Sequence, residues 1–154
     1  MSEQTYPYKA YDGVCGFVKD QVAAQDFGAY NVTEGNETEC KQAVRQVGPV
    51  SVSFQVVSDF MHYSSGVYSS KNCGTTTKDV NHAVLAVGYG HDEASGKDYW
   101  IVKNSWSENW GLEGYFLIER GVNMCAIAQC NSYPLLNKPS LSMYEVLHWL
   151  VILK

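Results

Sequence analysis

The sequence predicts an α+β fold, mainly antiparallel β-structure with one short helix. Three observations predict it. One stretch repeats apolar residues at helical spacing, and several others alternate or run apolar over strand lengths. The 154 residues also include eleven Tyr, four Trp and 13 Gly, a composition suited to strands joined by turns. A hydrophobic fraction of 45% and a charged fraction of 18% are those of a folded domain rather than a disordered chain.

Residues 1–35 hold short strand-like pieces and turns rich in Tyr and Gly. Asn36 is placed to cap a helix, with Glu39 three residues on as its capping-box partner. Cys40, Ala43, Val44 and Val47 then fall on one helical face, and Gly48-Pro49 stops the helix. Val50, Val52, Phe54 and Val56 alternate with Ser51, Ser53 and Gln55, the pattern of a half-buried strand. Ser58 to Tyr63 fits a short helical turn, closed by Ser64-Ser65-Gly66, and Lys71 to Asp79 is a polar loop. His82 to Tyr89 reads as a buried strand, Gly90 to Asp98 as a polar loop, Tyr99 to Asn104 as a second strand and Gly114 to Glu119 as a third. The apolar tail from Leu141 to Lys154 is shorter than the roughly 20 residues that span a bilayer. It fits a small amphipathic helix or a stretch translated from outside the true frame, so 135–154 is set apart as an atypical tail.

The formal net charge is −5, with no Lys/Arg run and no phosphate-binding Gly loop, so neither nucleic acid nor an anionic membrane is an expected partner. Five cysteines without a C-x-x-C pair argue against zinc and thioredoxin-type sites, and no metal or cofactor is expected. A disulfide framework in an oxidising compartment fits better. The sequons at Asn31 and Asn36 fit it too, as candidate glycosylation sites. The polar start Met1-Ser2-Glu3-Gln4 is no signal peptide. That conflict leads to the expectation that the chain is truncated.

The chemistry centres on the two central strands. If their hairpin is centred near Ala94, Asn104 faces Val84, and His82 lies two residues from Val84 on the same face. Such diagonal neighbours are roughly 7–8 Å apart at the backbone, within side-chain reach. An Asn carbonyl accepting from one ring nitrogen selects the tautomer and aims the other nitrogen at a nucleophile. A neutral Asn suits a thiol, which is acidic enough to pass its proton to the imidazole and remain a thiolate. Trp106, two residues beyond Asn104, is placed to shield that contact from water. His62, His91 and His148 lack such context and read as ordinary structural or surface histidines.

The stretch Val80-Asn81-His82-Ala83-Val84-Leu85-Ala86-Val87-Gly88-Tyr89-Gly90 resembles the histidine motif of the papain-like cysteine peptidases. Tyr99-Trp100-Ile101-Val102-Lys103-Asn104-Ser105-Trp106, followed by Trp110-Gly111 and Gly114-Tyr115, resembles their asparagine motif. Gly48-Pro49-Val50-Ser51-Val52 and Tyr6-Pro7-Tyr8 fall in the family's order, and the resemblance covers nearly all of residues 3–134. Asp59-Phe60-Met61, Gly66-Val67-Tyr68-Ser69-Ser70, Met124-Cys125 and Cys130-Asn131-Ser132-Tyr133-Pro134 are similar to the cathepsin H and aleurain-type branch.

The resemblance implies a papain-like fold fragment: the tail end of the left domain in 1–30 and the antiparallel β-barrel right domain in 31–134. It implies His82 as base then acid, Asn104 as its orienter, and Trp106 and Trp110 in support. It places Ser53, Val80, Asn81, Ala83 and Cys130 along a peptide- or protein-substrate cleft. It implies a Cys73–Cys125 disulfide, a partner for Cys15 in an N-terminal half that is missing here, and a propeptide remnant tied at Cys130 with aminopeptidase character. Cys40, on the apolar helix face, reads as a buried core thiol. A lysosomal, vacuolar or secreted location and cystatin-like inhibitors follow by family.

The nucleophilic cysteine of that family lies about 130–150 residues before the histidine. Only 81 residues precede His82, and neither Cys15-Gly16-Phe17 nor Cys73-Gly74-Thr75 has the required neighbours. The expectation is therefore a peptidase chain lacking its nucleophile, inactive alone. The alternative is a non-catalytic module that binds inhibitors or propeptides. Ser107 and Ala126 stand where the family usually has Gly, and a positive φ at either would add strain.

Overall fold

A computed structural model describes residues 1–136 of the chain. Residues 137–154, which hold most of the predicted tail and all of Leu141 to Lys154, lie outside the described residues. The described residues form two compact units, one of Met1–Ala29 with residues 134–136, the other of Tyr30–Tyr133. The first is irregular and exposed, with a 3-10 turn at Lys19–Gln21 and a backbone pairing of Phe27 and Gly28 with Leu135.

The second unit is built on strands β1 (Ala29–Asn31), β2 (Val50–Phe54), β3 (Val67–Tyr68), β4 (His82–Asp92), β5 (Lys97–Lys103), β6 (Tyr115–Glu119) and β7 (Ser132–Pro134). One helix, α1 (Glu37–Gln46), lies between β1 and β2 in the chain. The sheet order is β1-β7-β2-β4-β5-β6-β3. The α+β class is as the sequence predicts, but the sheet expected as an antiparallel β-barrel does not close. The sheet is open and mixed, because β3 has only two residues and pairs with β6 in parallel, leaving β1 and β3 as short edges.

The alternation in β2 buries Val50, Val52 and Phe54 to 1% exposure or less and leaves Ser51 exposed. Helix α1 starts where predicted: Asn36 Oδ1 accepts the Glu39 N–H at 3.0 Å. The Glu39 carboxylate does not return to the Asn36 N–H, which bonds Thr33 O instead; it accepts from the Thr33 N–H at 3.1 Å. Cys40 and Ala43 are buried and Val44 packs on the core, but Val47 is exposed. The helix ends at Gln46 with Val47 as its C-cap, and Gly48 at φ +142° turns the chain away directly after it. Glu37 ties the helix start to the sheet by accepting from Trp100 Nε1 at 2.8 Å and from the Asn123 N–H at 2.7 Å.

The β4–β5 hairpin corrects the predicted loop. The strands continue past Tyr89 to Asp92 and resume at Lys97, so only four residues turn the chain. Asp92 explains this: its carboxylate accepts from the Ser95 N–H, its carbonyl from the Gly96 N–H, and Gly96 sits at φ +67°. Leu85 faces Lys103 and Ala86 faces Val102, the register that sets Val84 opposite Asn104. A bulge then shifts the pairing so that Gly88 faces Ile101. The slip falls on the hairpin side of Ala86, so it does not reach His82.

Cys73 and Cys125 form a disulfide. Ser107 at φ +70° and Ala126 at φ +68° both adopt the left-handed conformation that glycine tolerates and L side chains do not. Ser107→Gly and Ala126→Gly are each expected to raise stability by about 0.5–1 kcal/mol, the relieved strain exceeding the entropy that glycine adds to the unfolded chain. Urea unfolding of the single variants checks this; lower midpoints for both contradict it.

Candidate active site

His82 opens β4, where it pairs with Phe54 of β2. Asn104 follows β5 directly and is 9% exposed, its own N–H donating to Gly114 O at 2.9 Å. The two side chains meet on one side of the sheet: His82 Nε2 lies 2.9 Å from Asn104 Oδ1.

The Ser105 backbone N–H decides the chemistry of that contact. It donates to the same Asn104 oxygen at 2.8 Å. A backbone donor demands an acceptor, so the amide's oxygen, not its NH₂, must face this point. His82 must then donate from Nε2, which makes Nδ1 the bare, basic nitrogen. Asn104 Nδ2 is buried and has no hydrogen-bond partner among the described residues.

Two aromatic walls hold the imidazole. Trp106 stacks on it at 5.1 Å between centroids and 28° between planes, and Phe54 meets it edge-on at 5.8 Å and 60°. Trp110 packs edge-on against Trp106 at 5.0 Å and is fixed by its Nε1–H donating to Met61 O at 3.0 Å.

Ser53, Val80, Asn81, His82 and Ala83 line one open depression of about 280 Å³. A second, of about 270 Å³, is lined by Ser51, Ala83, Val84, Leu85, Lys103, Asn104 and Ser105. Cys130 lines neither; it is exposed on the turn before β7. Asn81, one of the lining residues, has its amide engaged with the main chain. It brackets Val56, accepting from the Val56 N–H at 2.8 Å and donating to its carbonyl at 3.1 Å.

Sequence reasoning missed two parts of the site. Phe54 could have been found, because alternation in β2 points it to the same side as His82's neighbours. The role of Ser105 rests on its main chain, which leaves no side-chain signal.

The cysteines are otherwise engaged or exposed. Cys40 is buried, and burial pushes its thiol up to about 11, away from nucleophilic use. Cys15 is exposed in the N-terminal unit. Asn31 lies on the exposed strand β1, whereas Asn36 spends its side chain on the helix cap. No helix among the described residues is long and apolar enough to cross a membrane.

Residues 1–135 match the family model described as "Papain family cysteine protease". The chain is 53% identical over 133 residues to a Medicago truncatula protein named pro-cathepsin H, covering 86% of this chain and 37% of that one. It is 50% identical over 133 residues to the thiol protease aleurain of Arabidopsis thaliana, with the same coverage of 86% and 37%. The chain thus spans a little over a third of the length of these curated relatives. Among solved structures, a digestive procathepsin L 3 of Tenebrio molitor larval midgut superposes with a TM-score of 0.83 at 41% identity, over 88% of this chain and 44% of that one.

Proposed function

The chain belongs to the papain family of cysteine proteases, and from that membership we propose that it supplies the histidine–asparagine half of a thiol-peptidase site. The observation that carries the reading is the Nε2–H donated to Asn104 Oδ1 at 2.9 Å, which leaves Nδ1 as the nitrogen with a lone pair to act as a base. Nδ1 takes the proton of a thiol; the thiolate attacks the scissile carbonyl; the imidazolium returns the proton to the leaving amine. Water, deprotonated by the same nitrogen, then attacks the thioester carbonyl; the C–S bond breaks, the carboxylic acid leaves, and the thiolate is restored beside the imidazolium. Throughout, Asn104 keeps the ring in register without the charge bias of a carboxylate.

The thiol is proposed to come from polypeptide outside these 154 residues. Supporting this, Cys40 is buried, Cys73 and Cys125 are bonded to each other, and Cys15 and Cys130 lack the sequence around a papain-type nucleophile. Resemblance to the cathepsin H branch supports peptide or protein substrates, a propeptide remnant at Cys130 with aminopeptidase character, cystatin-like inhibitors and a lysosomal, vacuolar or secreted location; the sequons at Asn31 and Asn36 support glycosylation there.

The isolated chain is expected to turn over no aminoacyl fluorogenic substrate above background. Joined to a thiol-bearing N-terminal half, it is expected to become active and to be blocked by an epoxide thiol inhibitor. Epoxide-sensitive turnover by the isolated chain contradicts the account, and so does a joined, folded polypeptide that stays inert. A second reading, a non-catalytic binding module, is favoured by the exposed Ala83 and Leu85 on the open sheet face. Stoichiometric cystatin binding by the folded, monomeric chain supports it; the absence of such binding removes it.

A further inference from the structure

We propose that Phe60 is a positioning residue for His82: it braces both aromatic walls that hold the imidazole and so maintains the Nε2–H bond to Asn104. This rests on the proposed role of His82 and names a residue that neither active-site motif contains.

Phe60 is 0% exposed and comes from a separate segment, the 3-10 turn Phe60–His62. Its ring meets Phe54 at 5.0 Å and 77°, and Trp106 at 5.7 Å and 63°. Those are the same two rings that flank His82. It also packs against Trp110 at 5.2 Å, the ring that backs Trp106 from the other side. One side chain therefore supports both walls and the brace behind one of them.

The two walls depend on it unequally. Phe54 is held by the ladder of β2 with β4. Trp106 lies beyond the end of β5, outside any strand, so no ladder fixes its backbone. Its indole is placed by packing on Phe60 and Trp110. If Phe60 is shortened, Trp106 gains room to tilt, water reaches the Nε2–H, and water competes with Asn104 Oδ1 as its acceptor. The turn that carries Phe60 is itself anchored. Its N–H donates to Val57 O at 3.0 Å, and Asp59, held below the usual carboxylate range chiefly by the Tyr68 hydroxyl, accepts from that hydroxyl at 2.7 Å and from Ser70 at 3.1 Å.

The test is exchange of the His82 Nε2 proton, followed by NMR in the histidine-labelled 154-residue chain. Phe60→Leu and Phe60→Met keep the site apolar while removing the aromatic edges. Ile127→Val, at a core residue 2% exposed and outside the ring cluster, is the control for general loosening. The expected result is exchange at least about tenfold faster in both Phe60 variants and unchanged in Ile127→Val. Unchanged exchange in folded Phe60 variants overturns the proposal, as does equal acceleration by Ile127→Val. Failure of both Phe60 variants to fold also counts against it, because Phe60 is then a requirement of the fold and not of the site. A wild-type ring protonated on Nδ1 overturns the proposed function and this inference together, whereas an Nε2 proton that exchanges at the wild-type rate in the folded Phe60 variants overturns this inference alone.

Discussion

In a polypeptide joining this chain to a thiol-bearing half, His82→Ala is expected to lower kcat/KM for peptide substrates by roughly 10⁴-fold. Two losses combine. An ordinary thiol near 8.5 is only about 0.3% thiolate at pH 6, so the nucleophile is scarce without the imidazole to take its proton. The leaving amine also loses its general acid. Asn104→Ala is expected to cost less, roughly 10–10²-fold, because the ring keeps its two aromatic walls and loses only the acceptor that selects its tautomer. Both losses should appear in kcat, with KM little changed, since neither side chain is proposed to bind the resting substrate. Steady-state kinetics on a fluorogenic peptide checks this. A His82→Ala enzyme within tenfold of the parent contradicts the assignment.

The second large effect is on stability. Removing the disulfide as Cys73→Ser with Cys125→Ser is expected to destabilise the chain by about 4 kcal/mol, from the chain entropy of a loop of 52 residues. At this size that corresponds to a fall in Tm of roughly 8–16 °C. The consequence should be local as well as global. Cys125 sits at φ +52°, with Asn123 at φ +50° and Ala126 at φ +68°, in a turn held by Cys125 O accepting the Gln55 N–H at 2.8 Å. Cys73 lies at the start of the loop that leads to Val80 and Asn81, so the depression beside His82 should loosen before the sheet melts. Calorimetry and proteolysis of the double variant test this. A change under about 1 kcal/mol contradicts the entropic account.

The elements that were legible in the sequence are those whose signal is local. The cap at Asn36, the alternation from Val50 to Phe54 and the Gly48-Pro49 stop each depend on a few adjacent residues. The His82–Asn104 contact was also legible, because centring the hairpin near Ala94 gave the register, although the loop was read as Gly90 to Asp98 and the turn is only four residues. It survived only because the bulge after Ala86 falls on the far side of the pair. What stayed hidden depends on partners distant in sequence or on the main chain. The open sheet depends on β3 finding β6 in parallel, a pairing that no local pattern announces. The bracket that Asn81 places around Val56 crosses 25 positions. The acceptor role of Asn104 is set by a backbone N–H that any residue at position 105 except proline supplies.

Proton placement on the His82 ring is the most direct test. In a histidine-labelled chain held near pH 8, where an ordinary imidazole is neutral, ¹⁵N–¹H correlation spectra report which ring nitrogen carries the proton. The account predicts a protonated Nε2 and a bare Nδ1 at His82, and loss of that preference in Asn104→Ala. A ring protonated on Nδ1, or a wild-type ring averaging between tautomers as freely as the Asn104→Ala variant, contradicts it.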